Sequence, residues 1–401
     1  MRRTLVQQNV MQLFLIVLLG VLMLLYGSLL LYYRSAWVSI LNYVERKSQE
    51  PLPFISVLIP ARNEAHQVSN LLQSLEVQQF PGNSFEVIVI DDHSTDHTVD
   101  VVESFIKKTT IPIRIISLRE TLKGEAINSY KKKAIETGIA QSRGELIVTT
   151  DADCVVPPLW LSTIANVYQL RKPKMIVMPV GIEASLRPIE IFQSLDFMTL
   201  QGITGAALHK NFHGMCNGAN LAYTKESFYA VNGFTGIDSI ASGDDMLLLH
   251  KIKDQFPEGI CYIKSKDVIV YTKPVVSLGA FFQQRIRWAS KSDQYSDKTL
   301  LPVLLLVYFF NLLLLLTGIL CFFVNSLPIV TILSLPFVFG GVIILKTILE
   351  LIFLYPVSVF FGKQKLLWFF PLFQPLHIIY TVAAGWLGKF GTYEWKERKV
   401  K

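Results

Sequence analysis

The sequence predicts a mixed α/β domain with a mainly parallel sheet, tied to a membrane by apolar segments near both ends of the chain. Three observations carry that expectation. Short β-rich runs alternate with helical patterns between residues 54 and 277, an order that favours a parallel sheet with ligands at the carboxyl ends of its strands. Residues 11–33 are uncharged, and apolar stretches resume from residue 301; such stretches are long enough to cross a bilayer. Polar and acidic sets stand at the ends of three of the expected strands: PARNE, DDHSTD and TDADC.

Along the chain, residues 1–53 hold an N-terminal spanning helix at 11–33 and a linker. A cleaved signal peptide has a shorter apolar core and a small-residue cleavage site, so the helix is read as retained. Tyr32, Tyr33 and Trp37, with Arg34 beside them, fall where an aromatic belt sits. Within 299–390, residues 301–324 and 366–388 read as spanning helices. Residues 327–361 read as one tilted helix plus an interfacial segment or as a broken pair, because Lys346 and Glu350 interrupt them. Those two charges lie four apart, so mutual pairing is expected on a helix. The tail, 391–401, is basic, and the positive-inside rule places it in the cytoplasm. If the middle domain lies there too, an even number of crossings separates them. One C-terminal segment is therefore expected to be re-entrant or interfacial, unless the ambiguous stretch crosses twice.

The chain has 401 residues, 51% of them hydrophobic, and a mean hydropathy of +0.40, more apolar than a soluble domain of this size needs. Its charge of 38 − 31 = +7 suits anionic headgroups at a cytoplasmic surface. No basic stripe interleaved with aromatics occurs, so nucleic acid is not expected as a partner. Cys154, Cys216, Cys261 and Cys321 are widely spaced, which predicts neither a disulfide framework nor a zinc site and fits a reducing compartment.

In the middle domain (54–277), strands are expected at 54–60, 85–91, 111–117 and 144–151. Val68, Leu71, Leu72 and Leu75 recur at helical spacing between the first two, and 131–142 read as the helix before the fourth. In an extended strand Asp151 and Asp153 point the same way, and their charges repel unless a cation or donors stand between them. Alone, the pair reads first as a turn; three successive polar strand ends read as a site. The chain has no G-x-G-x-x-G, no Walker lysine motif and no G-x-S-x-G. A nucleotide would have to be held through carboxylates and a metal, for which Mg²⁺ or Mn²⁺ is suited.

PARNE (60–64), DDHSTD (91–96), DAD (151–153), GDD (243–245) and QRIRW (284–288), in that order, resemble the motifs of a membrane-anchored family 2 glycosyltransferase with a GT-A catalytic domain. The resemblance covers the middle domain and its flanking helices. It implies that Asp91 and Asp92 hold the uracil and ribose of a UDP-sugar, with Arg62 and Glu64 in the same pocket, and that Lys131 or Lys132 lies near the diphosphate. A solvated helix face explains that lysine run equally well. Asp153 would be the direct metal ligand, with Asp151 on the ribose or the metal's waters. Ser94 and Asp96 read better as caps of the following helix than as ligands. Asn217, Gly218 and Asn220 would line the acceptor side.

Residues 278–298 are expected to hold an amphipathic helix on the membrane surface. Leu278, Phe281, Phe282, Ile286 and Ala289 share one arc, with Trp288 at its edge; Gln284, Arg287 and Lys291 share another. By resemblance, Gln284 and Arg287 close over the donor diphosphate and Trp288 meets the acceptor sugar or lipid head. Arg285 reads as a snorkelling residue. Asp244 and Asp245 are the candidate bases. Ser242 and Asp245 fit a capping pattern that would occupy Asp245 and leave Asp244 for catalysis.

The activity implied is inverting transfer from a nucleotide-sugar to a membrane lipid, by a multi-pass protein of the cell (inner) membrane with its catalytic domain in the cytoplasm. A processive polysaccharide synthase, with a growing glycan as acceptor, and a noncatalytic nucleotide-sugar scaffold are the alternatives.

Overall fold

Runs rich in Val and Ile become strands because β-branched side chains suit a pleated, buried surface. The computed structural model describes residues 2–43, 51–123, 127–291, 294–323, 334–391, 393–395 and 398–400. In chain order its main elements are α1 (Arg2–Ser39), β1 (Ile55–Ala61), α2 (Val68–Glu76), β2 (Phe85–Asp91), α3 (Thr98–Ile106), β3 (Ile113–Ser117), α4 (Leu118–Leu122), α5 (Tyr130–Gln141), β4 (Leu146–Thr149), β5 (Cys154–Val155), α6 (Trp160–Arg171), β6 (Met175–Val177), β7 (Val180–Ile182), α7 (Pro188–His209), β8 (Leu221–Thr224), α8 (Lys225–Ala230), α9 (Met246–Gln255), β9 (Ile260–Tyr262), β10 (Val270–Thr272), α10 (Leu278–Ala289), α11 (Leu300–Phe323), α12 (Leu335–Phe361) and α13 (Gln374–Phe390).

The central sheet runs β3-β2-β1-β4-β8-β6-β9. Strands β3, β2, β1 and β4 are parallel, with Leu58 opposite both Ile88 and Thr149. Strand β8 is antiparallel to β4 and β6. A smaller sheet, β5-β10-β7, flanks it. Alternation along β1 divides the core. Val57 and Ile59 join a cluster with Leu71 and Trp160. Leu58 joins one that runs through Leu248 to Tyr33, Trp37 and Phe353 of the membrane helices. Membrane helices and α/β domain thus share a continuous core. Lys264 reinforces the join by donating to the Trp37 carbonyl at 2.9 Å.

Four expectations change. Strand β4 stops at Thr149, and Cys154 N–H closes a turn onto the Asp151 carbonyl at 3.1 Å. Asp151 and Asp153 therefore sit in a turn and not in an extended strand. The described part of 327–361 is a single helix, α12; residues 327–333 lie outside the described residues. Within it Lys346 donates to Glu350 at 2.6 Å, the i,i+4 pairing its spacing suggested.

Residues 366–388 are not one helix. A 3₁₀ stretch, Gln364–Phe373, with Pro371 inside it, gives way to α13, since proline cannot donate the backbone bond that a continuous helix needs. Lys363, at the start, bonds to the Ile182 carbonyl and the Ser194 hydroxyl. Gly388, near the end, packs on Ala289. Both ends therefore lie against the α/β domain. The turn at Gln374 is bonded to Glu350 and Lys346, roughly 16 Å along α12 from Phe361 at 1.5 Å per residue. The segment doubles back as a hairpin at Gln374.

Finally, the middle of the apolar arc of α10 faces protein, while Leu278 at its start is exposed. Phe281 and Ile286 are buried with Phe192 of α7 and Tyr380 of α13. In the basic tail, Tyr393–Trp395 pairs antiparallel with Arg398–Val400.

Candidate active site

The carboxyl ends of β1, β2 and β4 open into a cleft of about 600 Å³ roofed by α10. On its floor the PARNE and DDHSTD loops bind each other. Asn63 Oδ1 accepts from Thr95 N–H at 2.8 Å, and Asp96 accepts from Ala65 and Thr98 N–H at 3.1 and 3.0 Å. Ser94 Oγ accepts from Asn63 N–H at 3.1 Å. Ser94 and Asp96 are thus structural, but as ties between the two loops and not as the N-cap of α3, which is His97. Arg62 donates to the Asp92 carbonyl at 3.2 Å, and Arg62, Glu64 and Asp92 line the cleft. Asp91, at the end of β2, turns to its own loop and accepts from Ser94 N–H at 3.3 Å.

Lys131 joins the two acidic motifs. Its Nζ lies 2.7 Å from Asp151 Oδ1 and 3.4 Å from Asp244 Oδ2. Burial opposes its charge, but Asp151 and Asp244 overcome that and hold its pKa above the usual lysine value. Gly218 permits this approach, because a Cβ there would stand 3.1 Å from Asp244 Oδ2 and 3.4 Å from Lys131 Nζ. Asp153 Oδ2 accepts from the Thr272 hydroxyl at 3.1 Å.

Lys132, the alternative, does not reach the cleft. Its buried Nζ donates to the carbonyls of Ile237, Ile240 and Ser242 at 2.6, 2.6 and 3.1 Å. It anchors the loop that delivers GDD.

Asp245, not Ser242, is the N-cap of α9. It accepts from Met246 N–H at 2.7 Å and from Gly218 N–H at 3.0 Å. Burial, and then Asp244 beside it, raise its pKa. Asp245 is structurally committed as expected, through a different cap. The S-x-x-D spacing misled because Gly243, at φ +77°, breaks the helical path between Ser242 and Asp245. Asp244 lines the cleft.

From α10, Gln284, Arg287 and Trp288 face the cleft, as does Lys291 just beyond its end. Arg285 is buried and does not snorkel. It donates to Asp196 Oδ2 through Nε and Nη2 at 3.0 and 2.6 Å, and to Gln284 Oε1 at 2.7 Å. Its guanidinium stacks between Phe281 and Trp288, 4.5 and 4.1 Å from their centroids. Arg285 therefore orients both Gln284 and Trp288.

Residues 146–387 match the family model described as "Glycosyl transferase family group 2", and 56–187 match "Glycosyl transferase family 2". The chain is a family 2 glycosyltransferase. Its α/β domain has the GT-A fold. A mannosyltransferase from Pyrobaculum calidifontis, solved with GDP-Man and Mn²⁺, superposes over 90% of this chain and 98% of its own, with a TM-score of 0.54 and 20% identity.

Among curated relatives, the probable glycosyltransferase YdaM of Bacillus subtilis is 33% identical over 27% of this chain and 24% of its own length. The beta-monoglucosyldiacylglycerol synthase of Nostoc sp. is 27% identical over 33% and 27%. The undecaprenyl-phosphate 4-deoxy-4-formamido-L-arabinose transferase of Pseudomonas paraeruginosa is 30% identical over 27% and 30%. The chain thus spans about a quarter to a third of these relatives.

In this glycosyltransferase Asn220 is not on an acceptor surface. It is fully buried, accepts from Trp160 Nε1 at 2.9 Å, and donates to the carbonyls of Pro179 and Val268 at 2.8 and 2.7 Å. Asn217 and Gly218 do line the cleft, although Asn217 Oδ1 is engaged by Ala219 N–H at 2.9 Å.

Sequence reasoning assigned no role to Lys291, Thr272 or Asp196. Lys291 carried a signal, standing one turn past Arg287 on the same helical arc. Burial, then Arg287, lower its pKa to about 7 against the pull of Asp245 and Asp244.

Proposed function

We propose that the protein is an inverting glycosyltransferase that moves a sugar from a nucleotide-sugar, UDP-linked in the first instance, to a hydroxyl of a membrane lipid. The observation that carries this reading is the Lys131 bridge, which holds the Asp151 carboxylate of DAD and the Asp244 carboxylate of GDD across one ammonium group. Inversion needs a base for the acceptor hydroxyl and charge stabilisation for the leaving diphosphate, side by side.

Asp244 takes the hydroxyl proton as the acceptor oxygen attacks the anomeric carbon. The bond from that carbon to the diphosphate breaks, and its electron pair leaves with the diphosphate. Lys131, Arg287 and Lys291 supply positive charge to that group. Gln284, set by Arg285, presents its amide to it, and Arg62, Glu64 and Asp92 form the nucleoside end, with Asp91 holding the loop that carries Asp92. Trp288 and Asn217 border the acceptor.

Asp151 and Asp153 offer two carboxylates, and among the described residues no set of three His, Cys, Asp or Glu side chains could hold a metal. Two carboxylates suit Mg²⁺ or Mn²⁺, which take their remaining ligands from water and substrate phosphates. Asp153 would be the direct ligand, since Lys131 engages Asp151. An ion held there would supply Lewis-acid stabilisation of the departing diphosphate.

Among the described residues, four helical segments, the last combining the 3₁₀ stretch with α13, are long and apolar enough to cross a membrane. With 364–390 re-entrant, α1, α11 and α12 cross, and the catalytic domain and basic tail share the cytoplasmic side of the cell membrane.

The test supplies labelled UDP-glucose, UDP-galactose, UDP-GlcNAc and GDP-mannose to membranes holding the full chain. A chloroform-soluble monoglycosyl lipid, lost with EDTA, is expected. A ladder of products would establish a processive synthase, and the absence of turnover with every donor a noncatalytic scaffold.

A further inference from the structure

The hairpin that follows α12 reaches toward the donor cleft through one polar side chain. Tyr380 of α13 donates its hydroxyl to Asp196 Oδ1 on α7. Arg285 of α10 donates to the other oxygen, Oδ2, through both Nε and Nη2 at 3.0 and 2.6 Å. Its remaining group, Nη1, donates to Gln284 Oε1 at 2.7 Å. Gln284 lines the cleft, and so does Trp288, whose ring centroid lies 4.1 Å from the guanidinium carbon. Tyr380, Asp196 and Arg285 are all buried, where a lost polar partner is not replaced by bulk water.

A guanidinium and a carboxylate commonly pair as a fork, with two N–H groups on two oxygens. Arg285 does not adopt that fork. Both of its bonds go to Oδ2, while Oδ1 is turned toward the Tyr380 hydroxyl. With that hydroxyl gone, the two-oxygen fork becomes available, and adopting it swings Nη1 away from Gln284. The hydroxyl thus selects the orientation in which Arg285 holds Gln284 and stacks on Trp288. The Tyr380 ring is fixed separately, edge-on to Phe192 and Phe281 with centroids 5.7 and 5.2 Å away. Its helix is brought here by the Gln374 turn, which is bonded to Lys346 and Glu350 of α12.

We propose that Tyr380 is a positioning residue for donor binding. Its hydroxyl, acting through Asp196 and Arg285, sets Gln284 and Trp288 in the cleft, and the hairpin thereby takes part in transfer as well as in anchoring. The inference rests on the reading of Gln284 as a ligand of the donor diphosphate.

The test is a double-mutant cycle on the affinity for UDP with Mn²⁺, read by titration calorimetry on the full chain in nanodiscs, with no sugar transfer required. Tyr380→Phe removes the hydroxyl and keeps the ring. It should weaken binding about tenfold, and Gln284→Ala should weaken it by a similar factor. Together they should weaken it no further than Gln284→Ala alone, because residues that act through one another are not additive. A merely structural role for Tyr380 would lower affinity by the same factor in both backgrounds. Tyr380→4-aminophenylalanine, introduced by codon suppression, keeps a donor aimed at Asp196. It should restore affinity to within about twofold of wild type, and it carries the test should the phenylalanine variant fail to fold.

Multiplying effects in the double variant would overturn Tyr380 as a positioning residue. So would wild-type affinity in Tyr380→Phe beside weak binding in Gln284→Ala, or an amino variant that binds no better than the phenylalanine one. Unchanged affinity in Gln284→Ala would overturn the donor-ligand reading and the inference with it, and that outcome is read from the single variant alone.

Discussion

Replacing Lys291 by Met should abolish a proton uptake that accompanies donor binding. Lys291 is 6% exposed, with its stem 3.2 Å from the Cβ position of Gly243 in the GDD turn. Arg287, Lys132, Asp244 and Asp245 are the charged groups facing it, and the balance of burial and these neighbours leaves its pKa at about 7. A bound diphosphate favours the ammonium form. At pH 8 the free side chain is about 90% neutral, so binding takes up about 0.9 proton, against about 0.1 at pH 6. Supplying that proton costs about 1.4 kcal/mol at pH 8, a roughly tenfold weaker affinity than at pH 6.

The sign for stability is opposite. The folded pKa lies below the unfolded value, so the folded state binds fewer protons from about pH 7 to 10.4, and Lys291 makes stability rise with pH across that window. Titration calorimetry of UDP with Mn²⁺, in two buffers of different ionisation enthalpy, reads the uptake directly. The difference between wild type and Lys291→Met isolates this side chain from the nucleotide's own phosphates. Equal uptake in the two proteins, or equal pH dependence of their affinities, would refute the reasoning.

Asp244→Asn should lose nearly all kcat yet bind UDP and Mn²⁺. Asp245→Asn should keep measurable activity, because Asn caps a helix about as well as Asp, whereas Asp245→Ala should lose about 1 kcal/mol on denaturant unfolding. A dead but donor-competent Asp245→Asn would move the base to that residue. Asn220→Ala strands an indole N–H and two carbonyls, so melting should show a loss of about 2 kcal/mol or more, with an unchanged acceptor KM in the protein that remains folded. Asp196→Asn leaves the buried Arg285 without its counter-charge and should cost about 3–5 kcal/mol; a change below 1 kcal/mol would remove Arg285 as the organiser of Gln284 and Trp288. Arg287→Lys keeps the charge but loses the planar fork, and initial rates should fall about a hundredfold.

What the sequence determined by itself was local or periodic. Val- and Ile-rich runs placed the parallel strands, and strand ends of one parallel sheet must open on one edge, so PARNE, DDHSTD and DAD had to be neighbours. Unbroken apolar length marked the membrane helices, and a spacing of four paired Lys346 with Glu350. Tertiary structure decided what lies opposite each side chain.

Adjacent residues on a helix point about 100° apart, so the lysine run could not show that Lys131 faces the cleft while Lys132 faces the 237–242 loop. Asn220 is fixed by partners 60, 41 and 48 residues away. Arg285 looked like a snorkelling residue until Asp196, 89 residues earlier, supplied its counter-charge. The arc of α10 was apolar in either reading, and only the return of α13 showed that protein covers it. Periodicity records direction about an element's own axis, whereas function here depends on which other element meets that direction, and long-range packing alone settles that.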